Sequence, residues 1–308
     1  MTQLGLGCAP IGNLYEPITD DDARAVVQAA YDAGIRYFDT APLYGHGLSE
    51  RRLGAALAGL PRDELTVSTK VGRLLVPDEP GIAETTIFAD VPPVHPVFDF
   101  SEDGVLRSLE ASLERLGLDR VDIVHVHDPD DHAEEAVAGA FPALRRWREQ
   151  GIVGAIGAGM NQPTMLARFV REAGVDCVLL AGRYTLLDQS GLDELLPLCE
   201  REGVSVIAAG VFNSGLLANP DPGGHFDYVP ASSDLVERAR HLAAVCARHD
   251  VPLTAAALQF PAAHPAVTCV LTGVRSVDEL RANVADFERP IPQDLWEELR
   301  AERLLPGS

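Results

Sequence analysis

With 308 residues, 46% of them hydrophobic and 23% charged, the chain has the composition of a compact folded protein, long enough for two ordinary domains or one closed α/β barrel. Its 46 Asp and Glu against 25 Lys and Arg leave a net charge of −21, which repels phosphate backbones and anionic surfaces and argues against nucleic-acid and membrane partners. An anionic small ligand stays open, because backbone N–H groups and one or two arginines can hold a phosphate locally.

The first residues, MTQLGLGCAPIGN, hold no basic stretch followed by a long apolar one. No apolar run approaches the roughly 18 residues of a membrane helix, so a cytoplasmic location is expected. Short β-branched or apolar runs then alternate with segments of helical period: LGLGC (4–8), IRYFD (35–39), LTVSTK (65–70), VDIVHVH (121–127), IVGAIGA (152–158), VDCVLLA (175–181), VSVIAAG (204–210) and VTCVLTG (267–273). Between them lie helices such as DDARAVVQAAYDAG, with Thr19 or Asp20 as N-cap and a glycine suited to the left-handed C-cap.

Eight such strands joined by right-handed crossovers predict an α/β fold, a single (β/α)8 TIM barrel over residues 1–308. An open doubly wound sheet is the alternative, but GLGCAPIG has the wrong spacing for its GxGxxG fingerprint. Two long connections, 72–100 and 211–233, the second containing NPDPGGH, read as structureless binding loops or lids at the C-terminal face. The five cysteines (Cys8, Cys177, Cys199, Cys246, Cys269) are odd in number and widely spaced. They indicate neither a disulfide framework nor a zinc site, and no metal is expected.

A barrel gathers the C-terminal strand ends at one mouth. Asp39 ends the second strand, Tyr44 follows it, Lys70 ends the third and His127 the fourth. Taken singly, each has a structural reading: Lys70 as a rim cation, Tyr44 as a core aromatic, Asp39 as a turn former, His127 as part of a rim network. Together they suggest proton chemistry. An ammonium beside a phenol lowers its pKa from about 10, a carboxylate holds that ammonium in place, and an imidazole can hydrogen-bond a substrate oxygen. His125 and His127 form an HxH pair that would suit a metal-dependent hydrolase, although the further ligands such a site needs on later strands are missing.

FDTAPLYGHGLSERRLG, STKVG, DIVHVHDPD, GAIGAGMNQ and LTGVRSVDELRAN, in that order, resemble the aldo-keto reductase superfamily, nicotinamide-dependent enzymes on a (β/α)8 barrel. The resemblance covers nearly the whole chain. It implies Asp39, Tyr44, Lys70 and His127 as the catalytic tetrad, with Tyr44 the acid in reduction or the base in oxidation. A narrower resemblance, in STKVGRLL, HDPD, GAGMNQ and AGRYTLLDQ, is to the branch of L-fucose, D-threo-aldose and L-galactose dehydrogenases, with pyridoxal 4-dehydrogenase beside them. It implies NAD- or NADP-linked oxidation of a sugar hemiacetal to a lactone. Carbonyl reduction is the reverse alternative, and a non-catalytic nicotinamide-binding regulatory subunit a further one.

The same resemblance implies nicotinamide contacts from Gly159, Met160 and Asn161, while Ala181 replaces a frequent Gln. Tyr184 is a candidate for packing near the nicotinamide, or a core aromatic. Gly210, Phe212, Asn213, Ser214, Gly215 and Leu216 match the segment that cradles the pyrophosphate. Gly273, Arg275, Glu279 and Asn283 match the stretch that reads the adenosine half. Glu279, an acid where many NADP-selective relatives are basic, favours NAD, and Arg275 keeps NADP possible. For the small sugar or aldehyde substrate, the candidates are Asp128 (with Asp130, or both as turn formers beside Pro129), Tyr15, His46, Arg73, Phe88 and His95. The N-terminal hairpin that plugs the barrel bottom in many relatives is expected to be short or absent. The sequence leaves the oligomeric state open.

Overall fold

The computed structural model describes residues 1–78, 86–221, 223–227 and 229–306. Eight parallel strands form the barrel: β1 (Leu4–Gly7), β2 (Tyr37–Asp39), β3 (Thr66–Val71), β4 (Ile123–His127), β5 (Ala155–Met160), β6 (Cys177–Ala181), β7 (Ser205–Ala209) and β8 (Val267–Thr272). Each pairs with its neighbour in sequence, and β8 returns to β1, closing the sheet. The eight runs expected from sequence are these eight strands.

Side chains alternate across each strand. One set, including Phe38, Val67, Val124, Ile156 and Val178, packs outward against the helices. The other fills the barrel: Tyr37, Ile123, Cys177, Leu179, Ile207, Cys269 and Leu271 form a separate buried cluster. Asp39 stands two residues after Tyr37, and His127 four after Ile123, so both continue the inward rows toward the mouth. The first helix, α1 (Asp20–Asp32), begins at Thr19, whose side chain accepts the Asp22 N–H, and Gly34 with φ 87° ends the turn behind it. All five cysteines are unpaired and buried, as packing residues should be.

The connection 72–100 is not structureless. Arg73–Pro77 pairs antiparallel with Val94–Phe98 in a two-stranded ribbon that leaves β3 through Gly72, whose φ is 101°. The valines of RLLV and VHPVF suit a ribbon, and the prolines fall at positions a two-stranded edge tolerates. The connection 211–233 holds a shorter ribbon, His225–Phe226 with Val229–Pro230, among turns. Within NPDPGGH, Pro222 lies outside the described residues, as do residues 79–85 of the longer connection.

Helix α2 (Leu48–Leu57) approaches the end of α3 (Glu102–Leu116) closely at Gly54, where a Cβ would lie 2.0 Å from the Leu116 carbonyl oxygen. The obstacle is backbone, so the helices must separate to admit a methyl group. Gly54→Ala is expected to destabilise the fold by about 1–3 kcal/mol, measured as a lower urea midpoint with an unchanged m-value.

Candidate active site

The buried cation is Lys70, the chain's only lysine. Its ammonium donates to Asp39 Oδ2 at 2.6 Å, to the Thr40 carbonyl at 3.0 Å and to Tyr44 Oη at 3.1 Å. Three donors thus meet three acceptors, a match for a compact ammonium and not for a planar guanidinium. Asp39 and Lys70 are each 1% exposed. Asp39 Oδ1 accepts from Ser68 Oγ at 2.7 Å, and Ser68 Oγ lies 3.0 Å from Tyr37 Oη. Both carboxylate oxygens are therefore held. His127 meets Tyr44 edge to face, with ring centroids 5.9 Å apart.

Electrostatics corrects one expectation. Burial pushes the Tyr44 phenol above its ordinary pKa of 10; the Lys70 ammonium pulls it down but does not win, and Asp39 adds to the rise. The phenol is thus proton-bearing at neutral pH. Burial also opposes the charge on Lys70, yet Asp39 and Tyr44 outweigh it and raise the ammonium's pKa. Burial holds His127 well below 6.5, helped by Lys70, Arg73 and His125, so its ring is neutral. His125, one inward position below, is pushed down to about 4, mainly by burial. Neither of its ring nitrogens has a hydrogen-bond partner among the described residues. Among those residues no cluster of potential ligands suits a metal ion, so the HxH pair has no partners for a hydrolase site.

Tyr44, Lys70 and His127 face a cavity of about 180 Å³ whose wall also includes Gly159, Met160 and Asn161. A Cβ on Gly159 would stand 3.6 Å from both Lys70 Cε and Leu179 Cβ, so this glycine leaves a shelf free beside the ammonium. Of the substrate candidates, Phe88 and Asp128 line the cavity, and Arg73 reaches it through a 3.0 Å ion pair with Asp128. The Phe88 ring lies 6.1 Å from that of Tyr44. The others do not meet them. His46 is buried with Nδ1 2.6 Å from the Val94 carbonyl, fastening the ribbon. His95 pairs with Asp78. Tyr15 is 46% exposed and hydrogen-bonds the Ser214 side chain at the rim.

Among the later strands, Tyr184 is a core aromatic, not a mouth residue. Its ring packs on Phe260 and His264, 5.0 and 5.7 Å between centroids. After β7, Asn213, Ser214 and Gly215 are all left-handed, with φ of 47°, 56° and 94°, and Asn213 Oδ1 is buried without a partner among the described residues. Phe212 and Leu216 point into the packing below that turn. After β8, a Cβ on Gly273 would come within 2.8 Å of Pro10 Cγ. Arg275 pairs with Glu16 at 2.7 Å, and its backbone N–H donates to Glu279 at 2.8 Å. The Asn283 amide is already engaged, donating to Thr272 Oγ1 at 2.9 Å.

Leu14, Leu43, Ile87 and Leu179 also line the cavity, Ser68 holds Asp39, and Tyr37 bonds Ser68; the sequence reading named none of them. Strand alternation was the available signal for the last two, since Ser68 and Tyr37 stand two residues before Lys70 and Asp39.

An aldo/keto reductase family model matches residues 3–302 of the chain. The chain belongs to this family. It is 47% identical to the D-threo-aldose 1-dehydrogenase of a Pseudomonas species over 98% of its length and 94% of that protein's. It is 42% identical to the pyridoxal 4-dehydrogenase of Microbacterium luteolum over 99% and 95% of the two chains. The holo form of an aldo-keto reductase from Bacillus halodurans superposes with a TM-score of 0.76 at 26% identity, over 99% of this chain and 93% of that one. The protein is therefore a barrel oxidoreductase. Among its described residues, no helix is long and apolar enough to cross a membrane.

The buried histidines also set an acid limit. Between pH 6.5 and about 4 the unfolded chain binds protons that folded His125 and His127 refuse, so stability falls as pH drops through this window. Each histidine contributes at most about 1.4 kcal/mol per pH unit. Chemical denaturation at a series of pH values is expected to give a shallower decline for His125→Leu than for the wild type; equal slopes would contradict the assignment.

Proposed function

We propose that the protein oxidises the anomeric hydroxyl of a cyclic aldose to a lactone, with NAD as the hydride acceptor and NADP as the alternative, the whole chain 1–308 working as one barrel. The observation that carries this reading is the Lys70 ammonium fixed between Asp39 and the Tyr44 phenol at the wall of the cavity. The 47% identity to a D-threo-aldose 1-dehydrogenase supports the substrate class.

The residues present suit a dinucleotide. Gly159 leaves the shelf described above, Asn161 stands at the cavity edge, and the left-handed turn with Asn213 Oδ1, unpartnered among the described residues, lies at the same end of the barrel. In this reading Gly159, Met160 and Asn161 hold the nicotinamide end, Gly210 and the 212–216 turn the pyrophosphate, and Gly273, Arg275 and Glu279 the adenosine. A nicotinamide held by these residues would supply the acceptor for the hydride lost from the anomeric carbon. The proton of the same hydroxyl passes to Tyr44 Oη, whose anionic form Lys70 stabilises. Asp39, clamped by Ser68, keeps Lys70 charged and aimed. Neutral His127 offers one N–H to the substrate oxygen and fixes it beside the phenol. Arg275 is neutralised by Glu16 and borders Glu279, so a 2′-phosphate would meet two carboxylates; this favours NAD.

A second reading, oxidation of pyridoxal in its cyclic form, is favoured by the apolar wall of Leu14, Leu43, Ile87 and Phe88, which suits an aromatic ring, and by the 42% identity to a pyridoxal 4-dehydrogenase.

Following nicotinamide absorbance with NAD and NADP across L-fucose, other aldoses and pyridoxal separates these readings. Tyr44→Phe is expected to lower kcat by about 10²–10⁴-fold while dinucleotide binding, read by fluorescence titration, persists. Because the phenol's pKa is raised, oxidation requires its less populated form, and log kcat/KM is expected to climb with pH beyond neutrality. Wild-type turnover in the phenylalanine variant would exclude the proton-transfer role.

A further inference from the structure

We propose that Asp128, held by Arg73, reads a second substrate hydroxyl adjacent to the one that reacts, and so selects vicinally hydroxylated rings over simple alcohols and aldehydes. This rests on the aldose reading above and adds the group that sets its selectivity.

Asp128 follows His127 directly, but the backbone between them turns sharply. Asp128 is left-handed, with φ 41°, and its N–H donates to the Gly159 carbonyl at 3.1 Å. That turn brings the carboxylate back to the cavity wall instead of alternating it out of the barrel. Oδ2 lies 3.4 Å from His127 Nε2 and 3.0 Å from Arg73 Nη2. Oδ1 accepts no hydrogen bond among the described residues.

Arg73 is built into the ribbon base. Its guanidinium lies over the Phe98 ring at 4.5 Å, its side chain is 16% exposed, and its buried Nε has no partner among the described residues. Burial raises the Asp128 pKa, and a guanidinium this constrained opposes that rise while holding the carboxylate in one orientation.

The separation of Oδ2 from Nε2 decides what the pair can recognise. His127 addresses the reacting oxygen, so a group this close to its nitrogen meets the next oxygen along the substrate. A carboxylate is an acceptor only, and the partner that satisfies it must be a donor: a hydroxyl. A ligand with a carbonyl, a hydrogen or another anion at that position would displace water from the half-buried Asp128 and leave Oδ1 without a donor, Arg73 serving only Oδ2. The reacting atoms themselves are served by Tyr44 and His127. Asp128 therefore determines specificity and takes no proton in the reaction.

The test compares an accepted aldose with its 2-deoxy analogue in the wild type, Asp128→Ala and Asp128→Asn, with melting curves and dinucleotide titration to verify folding and cofactor binding. In both variants kcat/KM for the aldose is expected to fall by about 10–100-fold, chiefly through KM, with a much smaller fall for the 2-deoxy sugar. The wild-type preference between the two sugars should therefore shrink by about the same factor. Arg73→Met is expected to shrink it in the same direction. Equal losses on both sugars would overturn the assignment, since they would mean that Asp128 acts by orienting His127 or the turn. Failure of the wild type to oxidise any aldose with either dinucleotide would instead sink the functional reading beneath it.

Discussion

A carboxylate and an ammonium, each 1% exposed and 2.6 Å apart, are the constraint around which the barrel mouth is arranged. Removing two charges from water costs several kcal/mol per ion, and their attraction repays this only when every remaining donor and acceptor is satisfied. Here they are. Ser68 occupies Asp39 Oδ1, and the Thr40 carbonyl and Tyr44 hydroxyl occupy the remaining donors of Lys70. The pair is thus an expensive element made tolerable by its neighbours, and the neighbour with chemical freedom is the phenol. Its ordinary environment in a buried site would make ionisation prohibitive. The ammonium offsets part of that penalty and leaves the proton held but transferable.

The fold supplies this arrangement through a simple regularity. Inward positions recur every second residue, so Tyr37 and Asp39, Ser68 and Lys70, and His125 and His127 form stacked rows on three strands that are consecutive around the barrel. The lower members of the first two rows serve the upper ones, with Tyr37 beside Ser68 and Ser68 bonded to Asp39. Glu50 adds a support from outside. It is fully buried on α2, accepts from Thr69 at 2.7 Å and pairs with Arg115 of α3 at 2.5 Å, tying both helices to the strand that carries Lys70. Next to these polar rows, β5 presents Gly157, where a Cβ would stand only 2.6 Å from His125 Nδ1, and Gly159, whose missing side chain leaves room beside Lys70.

The barrel, and the meeting of Asp39, Tyr44, Lys70 and His127 at its mouth, were legible because both follow from local pattern: eight β-branched or apolar runs, and ionisable residues at or just beyond the ends of three of them. What was not legible depends on which way a loop turns. Tyr184 stands four residues beyond Leu180, and only the path of that loop places it against Phe260 and not at the mouth. His46 looks like a rim histidine in sequence, yet its imidazole is committed to the Val94 carbonyl across a ribbon whose pairing is non-local. Asn283 is likewise used up by Thr272. The direction of the Tyr44 shift was misread for a different reason: sequence identifies the neighbouring charge but not the extent of burial, and burial is the larger effect.

The contrast between the whole surface and the mouth carries the last step. A net charge of −21 disfavours an anionic dinucleotide at long range, so on the proposed reading retention rests on short-range geometry: close backbone approach at glycine, the left-handed turn at 213–215, and arginines whose charge is already balanced. Arg275 is balanced by Glu16, and Arg183 by Asp227, which joins the loop after β6 to the one after β7. Paired arginines of this kind fix loop positions without creating a positive field. A mouth built that way discriminates by shape and by matched hydrogen bonds more than by charge, which suits a neutral, hydroxylated substrate. Asp128 Oδ1, an acceptor at the wall with no hydrogen bond among the described residues, is on the proposal above the feature that gives such a substrate a defined orientation against Tyr44.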